Sequence, residues 1–140
     1  GFDKTESHLN EWNPYCQELG TGHHSAEMAA IEIAMQHSSV DVCCVYDMRT
    51  ANAPHCPLFS PITHKPIHGY YTLVAFNELY KLGTETKSES DDNDVYVLSA
   101  KGDKKAVLIS YYGGVEAEDK VIELHLSGFE KAQVKFHHLR

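Results

Sequence analysis

The run Val40-Asp41-Val42-Cys43-Cys44-Val45-Tyr46 constrains this chain more than any other segment. Mostly apolar and β-prone, it predicts a strand covered on both faces, as in a parallel sheet flanked by helices. A second strand-like segment, Ser7-His8-Leu9-Asn10-Glu11-Trp12, stops at Asn13-Pro14. Between the two, the spacing predicts a helix from about Ser25 to His37, with Ser25 as N-cap and Ala26, Ala29, Ala30, Ile33 and Ala34 on its buried face. Small buried residues there imply close packing onto a sheet. A Pro-rich stretch from Arg49 to Pro66 leads to a second predicted helix, about Ile67 to Leu82, ended by Gly83. Its aromatics, Tyr70, Tyr71, Phe76 and Tyr80, read as core and rim packing. Two consecutive β/α units of this kind pair in parallel through a right-handed crossover. They cannot close a barrel, and two parallel strands make a poor sheet alone, so residues 1–83 read as part of something larger.

Residues 84–140 have an antiparallel rhythm. Val95 to Ala100 and Ala106 to Tyr112 flank Lys101-Gly102-Asp103, a hairpin signal. Val121 to Leu126 alternates, with Ile122, Leu124 and Leu126 expected inward and Glu123 and His125 outward. Ala132 to His138 alternates too, and Thr84 to Ser88 is a candidate edge strand. The expected class is therefore α+β: two β/α units followed by an antiparallel β-sandwich or single sheet.

Twelve Lys+Arg against 20 Asp+Glu give a net charge of −8, which repels phosphate backbones and argues against nucleic-acid or anionic-membrane partners. No apolar stretch reaches the roughly 20 residues of a membrane helix. No signal-peptide pattern opens the chain, an observation of little weight if it begins inside a longer gene. Adjacent Cys43 and Cys44 would point to opposite faces of a strand, which does not suit a disulfide-stapled scaffold. All four cysteines (Cys16, Cys43, Cys44, Cys56) are expected free and mostly buried, leaning towards a cytoplasmic setting.

No metal or cofactor is expected. His23-His24, His55-Cys56 and His137-His138 lack zinc-site spacing, and no HExxH or CxxC occurs. Gly113-Gly114 follows a strand but opens no helix, so it reads as a turn rather than a phosphate loop. The acidic stretch Glu89 to Asp94 lacks the spacing of a calcium loop and reads as a solvated turn. Two strings could carry chemistry. Glu11 closes a parallel strand where β/α barrels place catalytic groups, with Trp12 beside it as a flat surface for a sugar ring. An ordinary strand-end Glu beside a core Trp remains the plainer reading of those residues. Tyr46-Asp47-Met48-Arg49 ends the next strand, and Asp47 and Arg49 can pair, as pocket wall or simple loop brace.

Taken together, Leu9-Asn10-Glu11-Trp12-Asn13, Val42 to Asp47, and Pro57-Leu58-Phe59-Ser60 with Lys65-Pro66, Gly69-Tyr70-Tyr71 and Ala75 to Gly83 resemble the C-terminal portion of retaining glycoside hydrolases of clan A. The resemblance is to the family 39 β-xylosidase and α-L-iduronidase group in particular. It covers about residues 5–83; the later strands match by pattern only. It implies that residues 1–83 are the last two units of a (β/α)8 barrel and residues 84–140 part of a sandwich. It further implies that Glu11 is the nucleophile, that Trp12, Asn13, Tyr46, Asp47 and Arg49 contact substrate, and that the acid/base lies outside this chain. Asn10-Glu11 also looks like the family's acid/base motif, but one further β/α unit and then a sandwich follow, which fits strand seven.

The resulting expectation is a fragment of a glycosidase, inactive by itself, needing no cofactor, with a carbohydrate as the full protein's partner. Its uncovered strand edges favour self-association. The alternative is a non-catalytic β-sandwich support or carbohydrate-binding module. Of these, support is favoured, because the outward residues Glu123, His125, Lys135 and His137 include no row of aromatics.

Overall fold

The computed structural model describes residues 3–14, 19–53, 55, 58–114, 116–128 and 133–139. In chain order the elements are β1 (His8–Trp12), α1 (Gly22–Gln36), β2 (Val42–Val45), α2 (His68–Leu82), β3 (Thr84–Thr86), β4 (Val95–Lys101) and β5 (Lys105–Tyr111). The fold is mixed α and β, with two helices and two separate sheets among the described residues. One sheet is the parallel pair β1-β2, and the other is antiparallel in the order β3-β4-β5. Among the described residues no barrel is closed.

Helix α1 begins a turn earlier than its spacing predicts. Its N-cap is Thr21, whose Oγ1 accepts from the backbone N–H of His24 at 3.2 Å. Ser25 is therefore not the cap. It lies buried inside the helix, its Oγ donating to the Gly22 carbonyl at 2.9 Å. Of the expected buried face, Ala29, Ala30 and Ile33 are buried and Ala26 is half-buried, whereas Ala34 is exposed. His24, Met28 and Glu32 form a second buried stripe at four-residue spacing, one that apolar periodicity could not reveal. Helix α2 ends at Gly83, whose φ of +85° is the left-handed conformation that a helix C-cap requires and glycine adopts without strain.

Both helices lie on one face of the antiparallel sheet and against each other. Period-2 geometry explains the sheet's contribution: Tyr96, Leu98 and Ala100 of β4 share a face, and their register partners on β5 are Ser110, Leu108 and Ala106. Ile33 of α1, Leu79 of α2, and Leu98 and Ala100 of β4 form the buried cluster, with Phe76, Leu82, Tyr96, Ala106 and Leu108 around it. Two side-chain bonds tie the layers to α1: Ser110 Oγ donates to the Ala26 carbonyl at 2.7 Å, and Thr72 Oγ1 to the Ser25 carbonyl at 3.3 Å. At the β4–β5 turn, a Cβ on Gly102 would stand 2.7 Å from the Leu82 carbonyl oxygen, so the hairpin can approach the end of α2 this closely only with glycine. Of the α2 aromatics, Phe76 packs on the core while Tyr71 and Tyr80 are exposed.

Three expectations are corrected. Cys43 and Cys44 are free but exposed rather than buried; Cys16 and Cys56 lie outside the described residues. Strand β2 is consequently not covered on both faces, because the helices cover the antiparallel sheet and among the described residues β2 has β1 as its sole strand neighbour. Val121 to Leu126 forms no strand, and Ile122, Leu124 and Leu126 are 39%, 40% and 46% exposed. Residues 133–138 form none either, and Ala132 lies outside the described residues. Alternation suits a strand only when a neighbouring edge pairs it and a second layer covers its apolar side. The described residues supply neither, so the antiparallel part is a single three-stranded sheet rather than a sandwich.

Candidate functional site

In a parallel pair both strands end on the same side, so the C-terminal ends of β1 and β2 bring residues 11–13 and 46–49 to one edge. The register runs His8 with Val42 and Leu9 with Cys43, then Trp12 with Val45. β1 thus spends one extra residue between Leu9 and Trp12, in the Asn10-Glu11 step. Such a slip bends the strand and re-aims the side chain that it carries. Glu11 is exposed there and makes no hydrogen bond among the described residues, so its carboxylate is uncommitted. Trp12 is half-buried, and its indole Nε1 is enclosed with no acceptor among the described residues.

Beyond the strands, backbone bonds continue to join the two chain segments. The Tyr46 N–H donates to the Trp12 carbonyl at 2.8 Å, and the Asp47 N–H to the His55 carbonyl at 2.7 Å. The Tyr46–Asp47 peptide is cis. Asn13 bridges the same elements with its side chain, Nδ2 donating to the carbonyls of Tyr46 and, at 2.9 Å, of His55.

Asp47 and Arg49 pair. Oδ2 accepts from Arg49 Nε at 2.6 Å and Oδ1 from the Arg49 N–H at 2.9 Å. The Asp47 side chain is only 15% exposed and that of Arg49 63%, so the guanidinium covers the carboxylate and faces solvent itself. Arg49 Nη2 donates to the Tyr46 hydroxyl at 3.0 Å and lies 3.5 Å from His55 Nε2. Its guanidinium carbon stands 5.7 Å from the Tyr46 ring centroid, and the Tyr46 and His55 rings are 5.2 Å apart. Charge-assisted bonds and ring contacts of this kind fix orientation more than they add stability at a solvated edge.

The structure therefore gathers Asn13, Tyr46, Asp47 and Arg49 into one bonded cluster beside Glu11 and Trp12. It adds His55, considered from the sequence with Cys56 as a metal ligand, set aside for lack of spacing, and not placed at this site. Nothing local to His55 signals its place, since it reaches the cluster across a 42-residue separation from Asn13. Among the described residues no group of three or more His, Cys, Asp or Glu could hold a metal ion. No described helix is long and apolar enough to cross a membrane. Chemically, the edge offers one free carboxylate, an indole beside it, and a rigid patch of phenol, guanidinium and imidazole. No protein-family description, curated protein or solved structure matches the chain.

Proposed function

We propose that this chain is the C-terminal part of a retaining glycoside hydrolase, that Glu11 is its nucleophile, and that β1 and β2 are the last two strands of its barrel. The observation that carries the reading is the register slip at Asn10-Glu11, which sets a free carboxylate at the C-terminal end of a parallel strand, next to the Tyr46-Asp47 end of its neighbour. Barrel enzymes assemble their sites from strand ends of this kind. The exposure of β1 and β2 agrees with it, since parallel strands are stable when flanked and covered.

In this mechanism the Glu11 carboxylate attacks the anomeric carbon as the bond to the leaving oxygen breaks. A second carboxylic acid, about 5 Å away, gives that oxygen its proton. The resulting glycosyl ester is then attacked by water, which the same second group, now a carboxylate, deprotonates, and Glu11 is released. Asp47 is committed to Arg49; in this reading the acid/base belongs to the part of the barrel outside residues 1–140, and this chain alone is inactive. Trp12 would stack on the sugar, while Tyr46, Asp47, Arg49 and Asn13 form the wall beside it. The substrate is a plant or microbial polysaccharide fragment, and no cofactor takes part.

The test is turnover of aryl glycosides by the longer protein that carries this chain. Glu11→Gln is expected to abolish it, and unchanged turnover would remove Glu11 from the nucleophile role.

A further inference from the structure

Asn13 stands immediately after the Glu11-Trp12 pair, yet its side chain bonds to the other strand's loop. Both acceptors are backbone carbonyls, of Tyr46 and of His55. Carbonyls accept only, so the amide nitrogen must face them, and the orientation of the group is fixed. Asn13 Oδ1 is enclosed and has no partner, so the two bonds to the loop are the only ones this side chain makes among the described residues. The His55 carbonyl also accepts the Asp47 N–H, and the Tyr46 N–H is bonded to the Trp12 carbonyl. Around one amide, then, the chain leaving β1 is locked to the chain leaving β2 and to the loop at residue 55.

We propose that Asn13 is a positioning residue: its side-chain amide clamps the ends of the two parallel strands together, holding Glu11 and Trp12 in fixed relation to the Tyr46-Asp47-Arg49 cluster. The catalytic consequence rests on the glycosidase reading; the conformational consequence does not. Backbone pairing between β1 and β2 is short and interrupted by the slip, so the edge beyond it depends on this link. Without the amide, the loop carrying Tyr46 and His55 loses its side-chain link to the end of β1 and keeps the backbone bond from the Tyr46 N–H to the Trp12 carbonyl. The Arg49 patch then shifts relative to Glu11 and Trp12.

Trp12 is the chain's single tryptophan, so its emission reports on this edge alone. Acrylamide is neutral and is not repelled by the net negative charge, so its quenching measures access rather than electrostatics. In this chain, Asn13→Asp places a carboxylate against two carbonyls and removes both donors. It is expected to at least double the quenching constant of Trp12 while the helical circular dichroism stays constant, because α1 and α2 pack in the other layer. Asn13→Ala removes the donors without adding charge and is expected to do the same, which keeps the test open if the aspartate variant fails to fold. Quenching equal to that of the wild type in the folded variants overturns the clamp.

The second arm uses the longer protein. Both Asn13 variants are expected to lose about 100-fold in kcat, the order of loss that follows misplacement by about 1 Å, with KM little changed. Loss of turnover in Glu11→Gln together with full kcat in the Asn13 variants also overturns the clamp. If Glu11→Gln keeps its activity, the glycosidase reading fails instead, and the quenching arm alone decides the role of Asn13.

Discussion

Two buried titratable groups on α1 set an unusual dependence of stability on pH. His24 is fully buried and Glu32 is 8% exposed, and neither side chain has a hydrogen-bond partner among the described residues. Burial, with His23 adding a smaller like-charge effect, lowers the His24 pKa from 6.5 to about 4. Burial alone raises that of Glu32 from 4.5 to about 8. Between pH 4.5 and 8 the unfolded chain has ionised Glu32 while the folded chain keeps it neutral, so stability falls as pH rises. For His24 the sign is opposite. Between pH 4 and 6.5 the unfolded chain is protonated and the folded chain is not, so stability rises with pH. At about 1.36 kcal/mol per pH unit for each group, the two effects nearly cancel from pH 4.5 to 6.5. Above 6.5 Glu32 is the one of this pair that still acts, and from 6.5 to 8 it removes about 2 kcal/mol.

Replacing Glu32 by Met keeps an unbranched side chain of similar length and removes the titration. Urea unfolding followed at 222 nm, at pH 5, 6.5 and 8, separates the cases. The wild type is expected to be flat between pH 5 and 6.5 and to lose about 2 kcal/mol by pH 8. Glu32→Met is expected to gain stability up to pH 6.5 and hold it at pH 8. Glu27, whose pKa burial also raises, with His23 and Tyr112 opposing, acts in the same direction as Glu32 but is common to both proteins. An equal fall for wild type and Glu32→Met between pH 6.5 and 8 would refute the reasoning, because Glu32 would then titrate alike in the folded and unfolded chains.

Elsewhere the structure makes sharp demands. Gly102→Ala drives a methyl group to 2.7 Å from the Leu82 carbonyl oxygen and is expected to cost about 1–3 kcal/mol in urea unfolding; a neutral result would mean that the hairpin does not approach the end of α2. Cys43 and Cys44 are exposed in this chain and are expected to react with a thiol reagent under native conditions, with mass spectrometry locating the label. If β1 and β2 belong to the proposed barrel, the same two thiols are expected to be protected in the longer protein that the proposal implies; equal labelling in both would count against that covering.

What could be read from the sequence was whatever its own neighbourhood decides. Gly83 ends α2 because one residue needs a positive φ, and the Lys-Gly-Asp turn folds β4 onto β5 because three residues suffice to do so. Asp47 and Arg49 meet because they are two residues apart at a strand end. Failures came where a partner distant in sequence decides. Val42 to Val45 has the composition of a covered strand, but cover is a property of other elements, and here the helices choose the antiparallel sheet. Ile122, Leu124 and Leu126 alternate correctly and still form no strand, since alternation describes one face and says nothing of an available edge. His24 and Glu32 were invisible as buried residues because a hydropathy pattern counts them as polar, and only the stripe shared with Met28 reveals them. His55 was hidden for a similar reason, being tied to the site through its backbone carbonyl, a group that carries no sequence signature.

The division between layers also determines how the site can be studied. The buried cluster draws on Ile33, Leu79, Leu98 and Ala100, and none of Glu11, Trp12, Asn13, Tyr46, Asp47 or Arg49 belongs to it. Folding free energy therefore comes chiefly from apolar contact between the helices and β4-β5, where a truncated side chain leaves a cavity. The edge of β1-β2 is instead held by hydrogen bonds and one ion pair at half-exposed positions, whose removal costs little in global stability. A substitution at Glu11 or Asn13 consequently disturbs geometry at the strand ends before it disturbs the fold. Under the glycosidase proposal, loss of turnover there with an unchanged urea midpoint would reflect the chemistry of the edge rather than unfolding of the chain.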